Sequence, residues 1–116
     1  MSLEATMETL PGRTAVITLS GTMTLGSSLK LIDSQVQSAL STGVNSLVVD
    51  LSAVECADSA GLGLLVHTLG LMNENGGSLR ICGIPRRLSS MMQTTHTDRI
   101  LTIDASRDES LAALRQ

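Results

Sequence analysis

The chain has 116 residues, 42% of them apolar, a net charge of −3, and no Phe, Tyr or Trp. That length holds one hydrophobic core and not two, and the apolar fraction predicts a folded globule, one domain over residues 1–116. The acidic balance disfavours nucleic acid, which needs a basic stripe, and there is no ring on which to stack a base or sugar.

Leu3 to Thr9 alternates apolar and polar residues as a half-buried edge strand does. Leu10-Pro11-Gly12-Arg13 is a reversing turn, and Thr14 to Ser20 reads as a second strand, antiparallel to the first. Gly21 to Gly26 reads as a polar loop. Ser27 or Ser28 then caps a helix whose Leu29, Ile32, Val36 and Leu40 share one face, with Gly43 ending it. Ser46 to Asp50 is an apolar strand that leaves through a polar loop, and a second helix runs from about Ser59 to Asn75. Its buried stripe is Leu62, Leu65, Val66, Leu69 and Met72, and Gly76-Gly77 stops it. Ser78 to Cys82 is the next strand, and Pro85 suits the first turn of a third helix bearing Leu88, Met91 and Met92. Thr94 to Asp98 reads as a loop and Ile100 to Ile103 as a short last strand. Ser106 and Glu109 have capping-box spacing before a final helix with Leu111, Ala112 and Leu114. The order β-β-α-β-α-β-α-β-α predicts a mixed, mostly parallel sheet with right-handed crossovers and helices packed on it.

The stretch from Asp50 to Leu65 organises the rest. Asp58 sits where an N-cap should, its carboxylate placed to accept the backbone N–H of Ala60 or Gly61. Ser59 then falls in the first helical turn, where unpaired N–H groups and the dipole favour negative charge, phosphate included. Gly61 and Gly63 each weaken the helix by roughly 1 kcal/mol relative to Ala, so each implies a close neighbour, in the fold or on a partner. Read without any family in view, the segment is equally an ordinary capped helix with small residues against a sheet.

No catalytic set emerges. Ser59 has no Gly-x-Ser-x-Gly elbow, and His67 lies eight residues further along the same helix, about 12 Å away. His96, in a Thr-rich stretch, reads as a solvated residue, and Arg86-Arg87 as a solvated helix face. Cys56 and Cys82 lack metal-ligand spacing, so neither metal nor cofactor is expected. No signal peptide and no apolar run near ~20 residues is present, so a cytoplasmic protein with reduced thiols is expected.

Asp50-Leu51-Ser52, followed at Asp58 by Asp-Ser-Ala-Gly-Leu-Gly, resembles the signature of the STAS domain, the family of bacterial anti-sigma-factor antagonists. The order of elements is similar over nearly the whole chain. The resemblance implies that a partner serine kinase, itself the anti-sigma factor, phosphorylates Ser59. It also implies a partner-binding set of Asp58, Ser59, Ala60, Gly61, Leu62 and Gly63, with Thr24 from the early loop. Leu62 is open to a second reading as plain core. Two positions depart from the pattern: Ala60 replaces a frequent second hydroxyl, and Thr24 stands where an acid is usual. The rival readings are a non-switching STAS scaffold in a signalling or lipid-transport complex, and a small-molecule-binding module.

Overall fold

The computed structural model describes residues 3–24 and 29–115, with the side chain of Leu29 outside that set. The expected caps Ser27 and Ser28 lie outside the described residues. Strands β1 (Leu3–Leu10), β2 (Thr14–Met23), β3 (Ser46–Ala57), β4 (Ser78–Cys82) and β5 (Thr102–Asp104) form one five-stranded sheet in that spatial order. β1 and β2 are an antiparallel hairpin, and every later pair is parallel. The mixed α/β architecture is the one the element order predicts.

Helices α1 (Leu29–Ser41), α2 (Ser59–Glu74) and α3 (Arg86–Thr95) cover one face. Strand residues alternate faces, so Ala15, Ile17 and Leu19 of β2 meet Leu47, Val49 and Leu51 of β3 and Ile81 of β4 in the major core. Helix α4 (Arg107–Leu114) lies on the reverse face, over a minor core of Val16, Val48 and Cys82 with Leu10, Leu111 and Leu114.

Several boundaries differ from expectation. β3 does not end at Asp50 but continues through the supposed polar loop to Ala57. Ten residues of β2 pair with twelve of β3, so β3 carries two extra residues, at shifts between Thr18/Ser20 and Gly21/Thr22. Each bulge flips the phase of the strand, which is why Leu51, Val54 and Ala57 are buried at a spacing of three. Such a segment lacks the period of two that marks a strand in sequence. β2 likewise runs to Met23, into the expected loop.

Pro85 is the N-cap of α3 rather than a first-turn residue, and α3 extends to Thr95. His96, in the left-handed region at φ 61°, ends it, and a short 3-10 turn follows at Thr97–Arg99. β5 is Thr102–Asp104, leaving Ile100 exposed instead of in a strand. On α2, Leu64 and Thr68 join Leu62, Leu65 and Met72 in the core, while Val66 and Leu69 are only partly buried. The Ser106 hydroxyl accepts from the Glu109 N–H at 3.2 Å, but the Glu109 carboxylate closes the box on the Ala105 N–H rather than on Ser106.

Candidate functional site

The end of β3 and the start of α2 are fixed by backbone geometry. Met23 and Ala57 are the last pair of the β2–β3 ladder, and the Asp58 N–H then donates to the Met23 carbonyl at 3.2 Å. Asp58 is extended (φ −126°, ψ −166°), as an N-cap residue is, and its carboxylate accepts the Ala60 N–H at 2.8 Å. Of the two expected acceptor contacts, the one to Ala60 is present, while the Gly61 N–H goes to the Asp58 carbonyl at 3.0 Å.

This arrangement puts Ser59 at the first position of α2, exposed. Among the described residues nothing holds its hydroxyl by a hydrogen bond. Thr24 follows directly on the Met23 partner of this corner, which places it beside the start of α2.

The two glycines have different roles. A Cβ on Gly61 would lie 2.9 Å from the Met23 carbonyl oxygen and 3.1 Å from the Met23 Cβ, so Gly61 lets α2 start against the end of β2. Gly63 is exposed, and a Cβ there would meet nothing within 4 Å. Leu62 is buried, at 7% exposure, and belongs to the major core. Of the seven expected partner-facing residues, Ser59 and Gly63 are exposed, Asp58, Ala60 and Thr24 are half-buried, and Gly61 and Leu62 sit beneath the surface.

The histidines take no part in this corner. His67 Nε2 lies 2.8 Å from Asp33 Oδ1, tying α2 to α1, and His96 is the exposed cap of α3. Among the described residues no cluster of three His, Cys, Asp or Glu is arranged to hold a metal. Nor, among those described residues, is any helix long and apolar enough to cross a membrane.

A second polar assembly lies upstream, on the reverse face. Thr18, Asp50, Cys82 and Asp104 are successive cross-strand neighbours on β2, β3, β4 and β5. Helix α4 closes over this row. Arg107 donates to Asp50 from Nε at 3.2 Å and approaches it with Nη2 at 3.1 Å, and Nη2 also donates to the Thr18 hydroxyl. Ser110, fully buried and three residues on, donates to Asp104 at 2.7 Å. Arg80 completes a two-bond fork to Asp104 at 2.8 and 3.0 Å.

The other oxygen of Asp50 accepts the Ser52 N–H at 2.9 Å and the Ser52 hydroxyl at 2.7 Å, right at the first bulge. Burial pushes the Asp50 carboxyl up, but the Ser52 bonds and Arg107 outweigh it and leave it below the usual carboxylate range. The Arg80 fork holds Asp104 below that range against the opposing effect of burial. Burial, with Asp50 beside it, pushes the Cys82 thiol up to about 11. No local pattern announces this network beyond the Ser106/Glu109 cap, because its partners are up to 89 residues apart.

Residues 6–112 match the family model described as Mlab, STAS domain. The chain belongs to the STAS family. Its fold is shared by a Thermotoga maritima protein assigned as an anti-sigma factor antagonist, with a TM-score of 0.85, 21% identity, and coverage of 97% of this chain and 95% of that one. An anti-sigma factor antagonist from Mycobacterium paratuberculosis gives 0.84 at 22% identity, over 98% of this chain and 95% of the other. Phosphorylated SpoIIAA, the Bacillus cell fate determinant, gives 0.76 at 16% identity, over 96% and 99%. At these identities the likeness is one of fold. Within this STAS domain, the Asp58–Gly63 corner lies at the carboxyl end of β3, where sheets of parallel strands place their functional loops.

Proposed function

We propose that this STAS domain is a cytoplasmic anti-sigma-factor antagonist that works by partner switching. In its unphosphorylated form it binds a serine kinase that is also the anti-sigma factor, and phosphorylation of Ser59 releases it. The observation that carries this reading is the position of Ser59: exposed, at the first position of α2, directly after the Asp58 cap. A phosphoserine there adds a charge of about −1.5 to −2, which the helix N-terminus tolerates within the domain. Buried against a partner, the same charge would be desolvated beside the Asp58 carboxylate, so the interface is lost while the fold survives. In this scheme the domain is acted upon and is not itself an enzyme. Asp58 and Ala60 shape the rim, Gly63 and Thr24 lie against the partner, and Gly61 and Leu62 hold the surface from beneath.

The test is phosphate transfer from the cognate kinase and ATP to wild type and Ser59→Ala, followed by intact mass. One added phosphate on wild type alone supports the switch. Absence of both phosphate and kinase binding rejects it for that pair. A non-switching STAS scaffold is the second reading, favoured by Thr24 and Ala60, which depart from the expected acid and second hydroxyl. Kinase binding without phosphate on either protein would favour that reading.

A further inference from the structure

Helix α4 is attached to the domain differently from the other three. It has eight residues, a length at which an isolated helix is marginal in water. Its own apolar contribution is Leu111 and Leu114, both only partly buried, over a minor core of three fully buried residues. By contrast, α1, α2 and α3 share the large core on the other face. What fixes α4 in place is polar: the Arg107 contacts to Asp50 and Thr18, and the Ser110 hydroxyl on Asp104. Little apolar burial combined with reliance on a few charged contacts puts an element at the low end of local stability. The β1–β5 ladder itself makes no use of α4, since each strand is paired with its neighbours.

We propose that α4 is a detachable latch. It lifts from the reverse face as a unit while the sheet and α1–α3 remain folded, uncovering Val16, Val48 and Cys82. The same motion withdraws Arg107 from Asp50 and leaves that carboxylate held by Ser52 alone, at the bulge that leads toward Ser59. Cys82 is a built-in reporter of the motion: fully buried beneath α4, it meets a thiol reagent only when the latch opens.

The experiment uses the full chain carrying Cys56→Ser, which removes the exposed thiol and leaves Cys82 as the only one. Its reaction with Ellman's reagent is followed at urea concentrations below the unfolding transition. The expected result is labelling through an opening whose urea dependence is a small fraction of that for global unfolding. Arg107→Ala should accelerate labelling by on the order of tenfold or more, as loss of a charged hydrogen-bonded contact implies. Ile32→Val, which loosens the major core on the far side of the sheet, should leave the low-urea rate within about twofold of the parent. Circular dichroism establishes that each variant is folded. If Arg107→Ala does not fold, Arg107→Lys serves, keeping the charge without the planar fork, and should be accelerated several-fold. Labelling with the full urea dependence of global unfolding overturns the proposal. So does an equal acceleration by the Ile32 variant and the Arg107 variant.

Discussion

The glycines of α2 give the sharpest test of how the corner is built, because the same substitution should act in opposite directions two residues apart. In an open helix position, Gly→Ala gains about 0.8–1.0 kcal/mol of helix propensity. Gly63 is such a position, since the new methyl would meet nothing within 4 Å. Gly63→Ala should therefore stabilise the domain by about 1 kcal/mol and raise Tm by roughly 3–6 °C. At Gly61 the same gain is opposed by a methyl 2.9 Å from the Met23 carbonyl oxygen. That oxygen is backbone at the last rung of the β2–β3 ladder and also accepts the Asp58 N–H at 3.2 Å, so it cannot yield cheaply. Because the opposing atom is backbone, the overpacking cost falls in the upper part of its usual range, about 2–3 kcal/mol, so after the helix-propensity gain Gly61→Ala should come out net destabilising by roughly 1–2 kcal/mol. With no aromatic residue to follow by fluorescence, the assay is urea unfolding by far-ultraviolet circular dichroism. A Gly61→Ala protein as stable as wild type would refute the close-approach account. If Gly63 also lies against the kinase, the more stable Gly63→Ala protein should bind it more weakly, which surface plasmon resonance would read.

Asp58→Ala removes the carboxylate that accepts the Ala60 N–H and should cost about 1 kcal/mol, while Asp58→Ser, another good cap, should recover most of it in the same urea assay. Asp50 and Asp104 both have folded-state pKa values below their unfolded ones, so they add stability that is complete above the unfolded value of about 3.9 and is lost as pH falls through the folded values. The urea midpoint should accordingly drop on acidification, and Asp104→Asn should flatten that acid limb. Cys82 acts at the alkaline end: its folded pKa of about 11 is raised, so the stability tied to its neutral thiol is present below the ordinary thiol range and lost as pH rises toward that value. Cys82→Ala should remove that alkaline loss, as midpoints measured across the range would show.

What could be read from the sequence was whatever rests on local pattern. The Asp58 cap, the glycine stop after α2, the β1–β2 hairpin and the element order all follow from neighbouring residues and emerged as expected. Leu51–Ala57 reads as a loop in sequence because bulges replace the period of two by a period of three, and polar Ser52 and Glu55 then break the strand pattern. Thr94 and Thr95 read as loop by composition, but their hydroxyls bond back to the Ser90 and Met91 carbonyls within α3. Within the corner, the glycine pair was visible but its division of labour was not. Whether a glycine faces a carbonyl or open solvent depends on Met23, 38 residues away from Gly61 in sequence. The reverse-face network was invisible for the same reason, since Arg107 looks like a solvated first-turn residue until Asp50 is placed beneath it.

The paired bulges of β3 also set a rule for changes in chain length. One extra residue would turn the following side chains to the opposite face, and the second turns them back, so Ala57 points into the same core as Leu47. Loss or gain of a single residue between Leu51 and Ala57 therefore inverts the exit of the strand and sends Asp58 and Ser59 out on the wrong side of the sheet. Loss of two residues, one from each bulge, keeps the exit on the correct side and only straightens the strand. Homologous chains that share this corner should accordingly differ in this segment by even steps.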